Sequence, residues 1–90
     1  MTFEWNEKKR RINLEKHDLD FEDAPRVFTE DAYVVEDTRE DYGEQRFLLM
    51  GFLYSRVVVI AFTRRDDVIR IISMRKATKR EQQHYVKNRF

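Results

Sequence analysis

The sequence predicts a small α/β domain in the α+β sense: two N-terminal helices, an antiparallel sheet of about four strands and a C-terminal helix. Three observations carry this. Residues 46–74 hold three β-branched or aromatic runs, Arg46–Tyr54, Arg56–Thr63 and Val68–Met74, separated only by Ser55 and by Arg64–Asp67. Such short separations demand hairpins, hence antiparallel neighbours. The segments before residue 30 and after Thr78 instead carry helix-capping residues and polar helix formers. Ninety residues with two Gly and one Pro leave room for one core and little linker, so residues 1–90 read as a single domain.

Taken in order, Phe3-Glu4-Trp5 is a short extended entry. Asn6 is the N-cap of a helix running to about Lys16, with Lys9 where a capping box needs Glu or Gln. Its apolar residues are few, Ile12 and Leu14, whereas Lys9, Asn13 and Lys16 fall on one side of the helical wheel with His17 beside them. This polar stripe is expected to face away from whatever Ile12 and Trp5 pack on. Asp20 or Asp23 caps a second short helix through Val27 and Phe28, starting close to Pro25, which is comfortable only in a first turn. Ala32–Val35 has strand composition, and residues 36–45 are polar with a Gly, the mark of a loop. The run Val57–Phe62 has no polar alternation. It therefore predicts a central strand covered on both faces. Thr78 with Glu81 forms a capping box for the last helix, which has only Tyr85, Val86 and Phe90 to pack and is expected on the surface.

Charge is segregated along the chain. Residues 18–45 hold eleven acidic side chains against Arg26 and Arg39, and residues 46–90 hold eleven basic ones against Asp66, Asp67 and Glu81. Net charge is nonetheless only +1. Two readings compete: a basic surface that faces a polyanion, or two halves that neutralise each other in the fold. The absence of Cys removes disulfides and thiolate metal sites. His17 and His84 stand far apart with no ligand spacing around them, and no Gly-rich phosphate loop is present, so neither a metal nor a cofactor is expected. No apolar run approaches a membrane span or a signal h-region; the expected compartment is the cytoplasm, with no membrane partner.

Metal-free cleavage of RNA needs a base for the 2′-hydroxyl, an acid for the leaving 5′-oxygen and cations for the charge that builds on phosphorus. An imidazole suits the proton transfers, which makes His17 the candidate, against its bland reading as a histidine favoured by a helix C-terminus. Arg75, Arg70, Arg46 and Lys76 are candidates for the phosphate. Arg70 is equally suited to an ion pair with an acidic helix residue. Arg75, Lys76, Lys79 and Arg80 put four charges within six residues, a density that favours phosphate contact over mere solvation. Tyr54, Tyr85 and Phe52 can stack a base, although a tyrosine at position 85 is more often a packing residue.

Four stretches in order, Phe3–Asn6 with Lys9, Asn13 and Lys16-His17; Asp20–Glu22 with Ala24 and Val27-Phe28; Asp41–Glu44 with Arg46 and Gly51; and Ile69–Thr78 with Arg80-Glu81 and Tyr85, resemble the BrnT family of bacterial type II toxins. Pro25 departs from the Ala-like residue of that pattern and bears only on a helix boundary. The resemblance implies a RelE-like fold, a ribonuclease that slows growth by cutting RNA, and a cognate BrnA-type antitoxin whose complex with the toxin represses its own operon, so that operator DNA is met only through the antitoxin. It directs attention to Lys16, His17, Arg46, Arg70, Ser73, Arg75, Lys76 and Arg80. Ser73, a hydroxyl within an apolar strand, reads most simply as a buried structural group. The acidic segment is expected either to dock a basic stretch of the antitoxin or to hold RNA off the back of the domain. The rival reading is a non-catalytic nucleic-acid-binding or protein-interaction module, a degenerate toxin.

Overall fold

The structure is a computed structural model that describes residues 1–89; Phe90, one of the three residues expected to pack the last helix, lies outside them. The element order is β1 (Thr2–Trp5), α1 (Glu7–His17), a 3-10 turn (Phe21–Arg26), β2 (Tyr33–Glu36), β3 (Phe47–Leu53), β4 (Arg56–Arg65), β5 (Val68–Lys76) and α2 (Lys79–Arg89). The sheet order is β1-β5-β4-β3-β2. β2, β3, β4 and β5 pair antiparallel in succession, whereas β1 pairs parallel to β5 with Phe3 opposite Ile69 and Trp5 opposite Ile71.

Two expectations need correction. The sheet has five strands and is mixed, because the extended entry at Phe3–Trp5 is itself a strand; its β1–β5 pairing joins residues 2–5 to 68–71, which no local pattern reveals. There is also only one N-terminal α-helix. The second is a single 3-10 segment ending at Arg26, with Asp20 accepting from the Glu22 amide at 3.0 Å. Pro25 is the fifth of its six residues, so its missing amide falls late in the element and helps keep it short.

β4 is the central strand, and its two sides feed two separate apolar clusters. Val58, Ile60 and Phe62 join Leu49, Ile69, Ile71 and Met74 on the first face, under Leu19, Phe21, Ala24 and Val27. Phe28 bridges this layer, with ring centroids 5.1 Å from both Phe3 and Phe62. Val57 and Val59 join Met50, Ala77 and Tyr85 on the second face, under α2. The Thr78–Glu81 capping box forms as expected, with bonds of 2.9 and 3.1 Å. Gly51 is needed where the 3-10 segment ends. A Cβ there would stand 2.8 Å from Val27 Cγ1 and 3.3 Å from the Val27 carbonyl.

α1 packs the opposite way round from its predicted orientation. Ile12 and Leu14 are exposed, while Asn13 of the polar stripe is buried at 7 % exposure. The reason is a free strand edge. β1 ends opposite Ile71, so β5 beyond that point has no neighbour on this side, and its main-chain groups need partners. Asn13 supplies them: its Nδ2 donates to the carbonyls of Met74 (2.8 Å) and Leu19 (3.1 Å), and its Oδ1 accepts from the Met74 amide (3.1 Å). One carboxamide thus replaces a rung of the missing strand.

Candidate RNA-cleaving site

Strand alternation fixes which side chains share the second face. Thr63 and Arg70 are opposite each other, and Glu4 is opposite Arg70. Arg46 directly precedes Phe47, whose ring stacks with Phe62 on the first face at 5.5 Å, so Arg46 alternates to the second face and extends this row. Two residues along lies a row of Leu48, Ala61 and Ser73, and beyond it a row of Met50, Val59 and Arg75. α2 covers the far end of this face but leaves the middle open: Ala61 is the one residue of Val57–Thr63 that is not buried. The structure therefore brings three of the predicted phosphate ligands, Arg46, Arg70 and Arg75, onto one half-open sheet face.

Each arginine is held by a different neighbour. Arg75 donates from Nη1 and Nη2 to the two Glu81 oxygens at 2.8 and 2.9 Å. The same Glu81 carboxylate caps α2, and the two contacts hold its pKa down at about 2 while raising that of Arg75. Arg70 pairs with Glu4 at 2.6 Å, the ion pair the sequence also allowed, although its partner lies on a strand and not a helix. The Arg46 guanidinium carbon sits 4.0 Å from the centre of the Tyr42 ring. Tyr42 is itself tied to Asp37 (3.1 Å), which takes a two-pronged contact from Arg39 at 2.8 Å on each oxygen. These bonds push the buried Asp37 carboxyl far below its ordinary range. Arg39 is also close enough to Arg75 for their charges to repel.

His17 and Lys16 are not on that face. They end α1 and line a cleft of about 220 Å³ with Lys9, Ile12, Asn13, Ile72 and Ser73. The two regions meet at Ser73. Pairing of β4 with β5 shifts register at Ala61/Phe62, so that Ala61 faces Ser73 while Phe62 faces Ile71. Ile72 is the extra residue of this bulge, at the stretch of β5 edge that α1 closes. Ser73 is half-buried and open to the cleft, not the enclosed hydroxyl expected of it.

Other predicted residues stand elsewhere. Lys76 is opposite Val58 and so alternates away from Arg75, beside a separate cavity formed with Phe52, Arg56, Val57 and Val86. Lys79 and Arg80 are exposed in the first turn of α2, where the helix dipole disfavours cations. Tyr85 is fully buried and donates its hydroxyl to the Asp31 carbonyl at 2.9 Å; it packs and presents no face to a base, which removes it from the RNA-binding set. Tyr54 and Phe52 remain exposed. Asn13, Tyr42 and the Glu81 grip on Arg75 were not predicted as parts of a site. Asn13 had a signal in its place on the polar stripe; the other two depend on contacts between elements.

Of the two charge readings, the fold gives something to each. Arg70–Glu4 and Arg65–Glu44, the latter at 3.3 Å, join the acidic or N-terminal portions to the basic half, and Glu81 takes Arg75 within that half. Among the described residues, no ion pair involves Lys16, Lys76, Lys79 or Arg80.

Residues 5–81 match the family model described as the ribonuclease toxin, BrnT, of type II toxin–antitoxin systems. The chain belongs to the BrnT family. Membership makes it a ribonuclease toxin by class, with RNA as target and an antitoxin as partner. The matched interval contains α1, all three face arginines, Ser73 and Glu81; Tyr85 falls outside it. No curated protein matches the chain. No helix among the described residues is long and apolar enough to cross a membrane.

Proposed function

We propose that this BrnT-family toxin is a metal-independent endoribonuclease of the cytoplasm, with His17 carrying the proton transfers and Arg46, Arg70 and Arg75 binding phosphate. The observation that carries this reading is the convergence of three arginines on one open sheet face that adjoins, at Ser73, the cleft holding His17. In the reaction the 2′-hydroxyl loses its proton to a base and its oxygen bonds to phosphorus. The bond from phosphorus to O5′ then breaks, and O5′ takes a proton, leaving a 2′,3′-cyclic phosphate and a 5′-hydroxyl. An imidazole can serve at either proton transfer. Arginine forks match the developing phosphorane charge, and carboxylates behind them hold their orientation. Lys16, Lys79 and Arg80, which make no ion pair among the described residues, add positive charge for the flanking RNA, and Lys76, on the other side of β5, would act only on a longer strand that wraps the domain.

Growth inhibition by RNA cleavage, neutralisation by a BrnA-type antitoxin and operator binding through that antitoxin complete the proposal. The acidic residues Asp37, Glu40 and Asp41 are the proposed antitoxin contact, although Asp37 is already committed to Arg39 and Tyr42. Charge reversal at Glu40 and Asp41 is accordingly expected to weaken antitoxin binding without disturbing that network.

The deciding experiment incubates the protein with a defined single-stranded RNA in excess EDTA, beside His17→Ala. Cleavage is expected to fall 100- to 10,000-fold on the order of a lost general acid or base, with the melting temperature unchanged. Equal cleavage by both proteins would remove His17 from the mechanism. Absence of cleavage by the parent, with graded and salt-sensitive RNA binding, would favour the non-catalytic module.

A further inference from the structure

The open part of the second face has a shape that the arginines alone do not explain. Its floor is the row Leu48, Ala61 and Ser73. In the run Val57–Phe62, otherwise made of Val, Ile and Phe, the one alanine stands directly opposite a serine. Neighbouring rows lie ~6.8 Å away along the strands, and the floor extends ~10 Å across them. At one end stand Arg46, Thr63 and Arg70, and at the other Arg75. The Arg46–Thr63 end carries two buried polar atoms with no hydrogen-bond partner among the described residues, Arg46 Nε and Thr63 Oγ1, and Thr63 is only 1 % exposed. Polar atoms buried without a partner are rare in proteins.

From these features we infer that the Leu48–Ala61–Ser73 floor is a nucleoside seat, which holds one ribonucleoside of a single strand while Arg70 with Arg46 grips the phosphate on one side of it and Arg75 the phosphate on the other. The inference rests on the RNA-cleaving reading and deepens it by fixing the unit recognised: one nucleoside and its two flanking phosphates. Charge complementarity selects the occupant. A protein segment would need an acidic group at both ends of the floor, whereas every internal nucleotide of RNA supplies two phosphates at a fixed spacing. The small residues leave room for sugar and base above the sheet, and the seat ends at Ser73, where the His17 cleft begins. Arg70 and Arg75 each keep donors for phosphate, because Glu4 takes one Arg70 nitrogen and Glu81 takes only the terminal nitrogens of Arg75.

The test uses 2′-O-methyl oligoribonucleotides, which cannot form the cyclic phosphate. A trinucleotide, with a central nucleoside between two phosphates, is expected to bind at least ten-fold more tightly than a dinucleotide with one. Ala61→Leu, which fills the seat, is expected to weaken trinucleotide binding at least ten-fold with an unchanged melting temperature, and the smaller Ala61→Val to give an intermediate loss. Arg70→Ala and Arg75→Ala should each lower the salt slope of log affinity by ~0.7, the value for one phosphate on a single strand. Equal affinity for the two oligonucleotides, no measurable trinucleotide binding, or full binding by folded Ala61→Leu would overturn the seat. Cleavage by the parent in EDTA together with any of these outcomes would leave the ribonuclease reading standing alone. The reverse, seat-dependent binding without cleavage, would keep the seat and discard the chemistry.

Discussion

The two faces of this sheet are built from the same three central strands and yet solve opposite problems. On the first face the central rows are filled: Leu49, Ile60, Ile71 and Met74 are buried under Phe21, Ala24 and the flanks of the 3-10 segment, and edge-to-face rings close the layer. On the second face α2 covers only one end, and the remaining rows hold Leu48, Ala61 and Ser73, then Arg46, Thr63, Arg70 and Glu4. The first face spends its side chains on excluding water. The second keeps its cations oriented by carboxylates and leaves a floor between them. On the proposed function, stability and chemistry are separated by one residue of strand alternation, and substitutions one position apart should have unrelated consequences.

The sharpest test of that separation compares Phe21→Ala with Arg75→Ala. Removing the fully buried Phe21 ring is expected to cost about 3–5 kcal/mol, measured by urea unfolding, with cleavage lost only in proportion to the unfolded fraction. Arg75→Ala is expected to reduce cleavage about 100-fold, equivalent to about 2.7 kcal/mol of transition-state stabilisation, while unfolding shifts by less than about 1 kcal/mol because its pair with Glu81 is partly exposed. A comparable stability loss in both proteins would mean that the second face is also structural.

Asn13→Ala comes next. It leaves the amide and carbonyl of Met74 and the Leu19 carbonyl without their partner, at about 1–3 kcal/mol. Because Asn13 also lines the His17 cleft, this variant is expected to lose stability and activity together, the one place where the division between faces fails. Gly51→Ala, which presses on Val27, should cost about 1–3 kcal/mol in unfolding experiments and leave the cleavage rate of the folded protein unchanged.

The smallest effect concerns acid. The folded pKa of Glu81, about 2, lies below its ordinary value of 4.5. Stability from its contacts is therefore fully present above about pH 4.5 and is lost as pH falls toward 2. Asp37 is depressed in the same direction and adds to the same loss. Glu81→Gln is expected to flatten the acid limb of a melting-temperature profile. An unaltered limb would show that the grip on Arg75 contributes nothing to folding.

Much of this was legible in the residues because it depends on near neighbours. The Asn6 cap, the two hairpins, the central Val57–Phe62 strand and the Thr78–Glu81 box each follow from side chains within a few positions of one another. What escaped depends on distance in sequence. β1 looked like an entry segment because its partner begins at Val68. The α1 stripe looked solvent-facing because nothing near Asn13 shows that Met74 needs two hydrogen bonds. For the site, residue types pointed to arginines and a histidine, but not to which arginines share a face. Lys76 and Arg75 are adjacent in sequence and lie on opposite sides of the strand, while Tyr85 is drawn wholly into the second cluster.

The closure of β5 by β1 and Asn13 has a consequence for the order of events during synthesis. The first thirteen residues are made early, but their partners lie at positions 68–71 and 74. Contacts across such separations form late, after the cost of closing the intervening loop has been met. The cleft of His17 borrows its far wall from Ile72 and Ser73, so it does not exist until β5 has been made and docked. A chain still emerging from the ribosome carries His17 without this cleft around it, and the cleft assembles only after β5 has been translated.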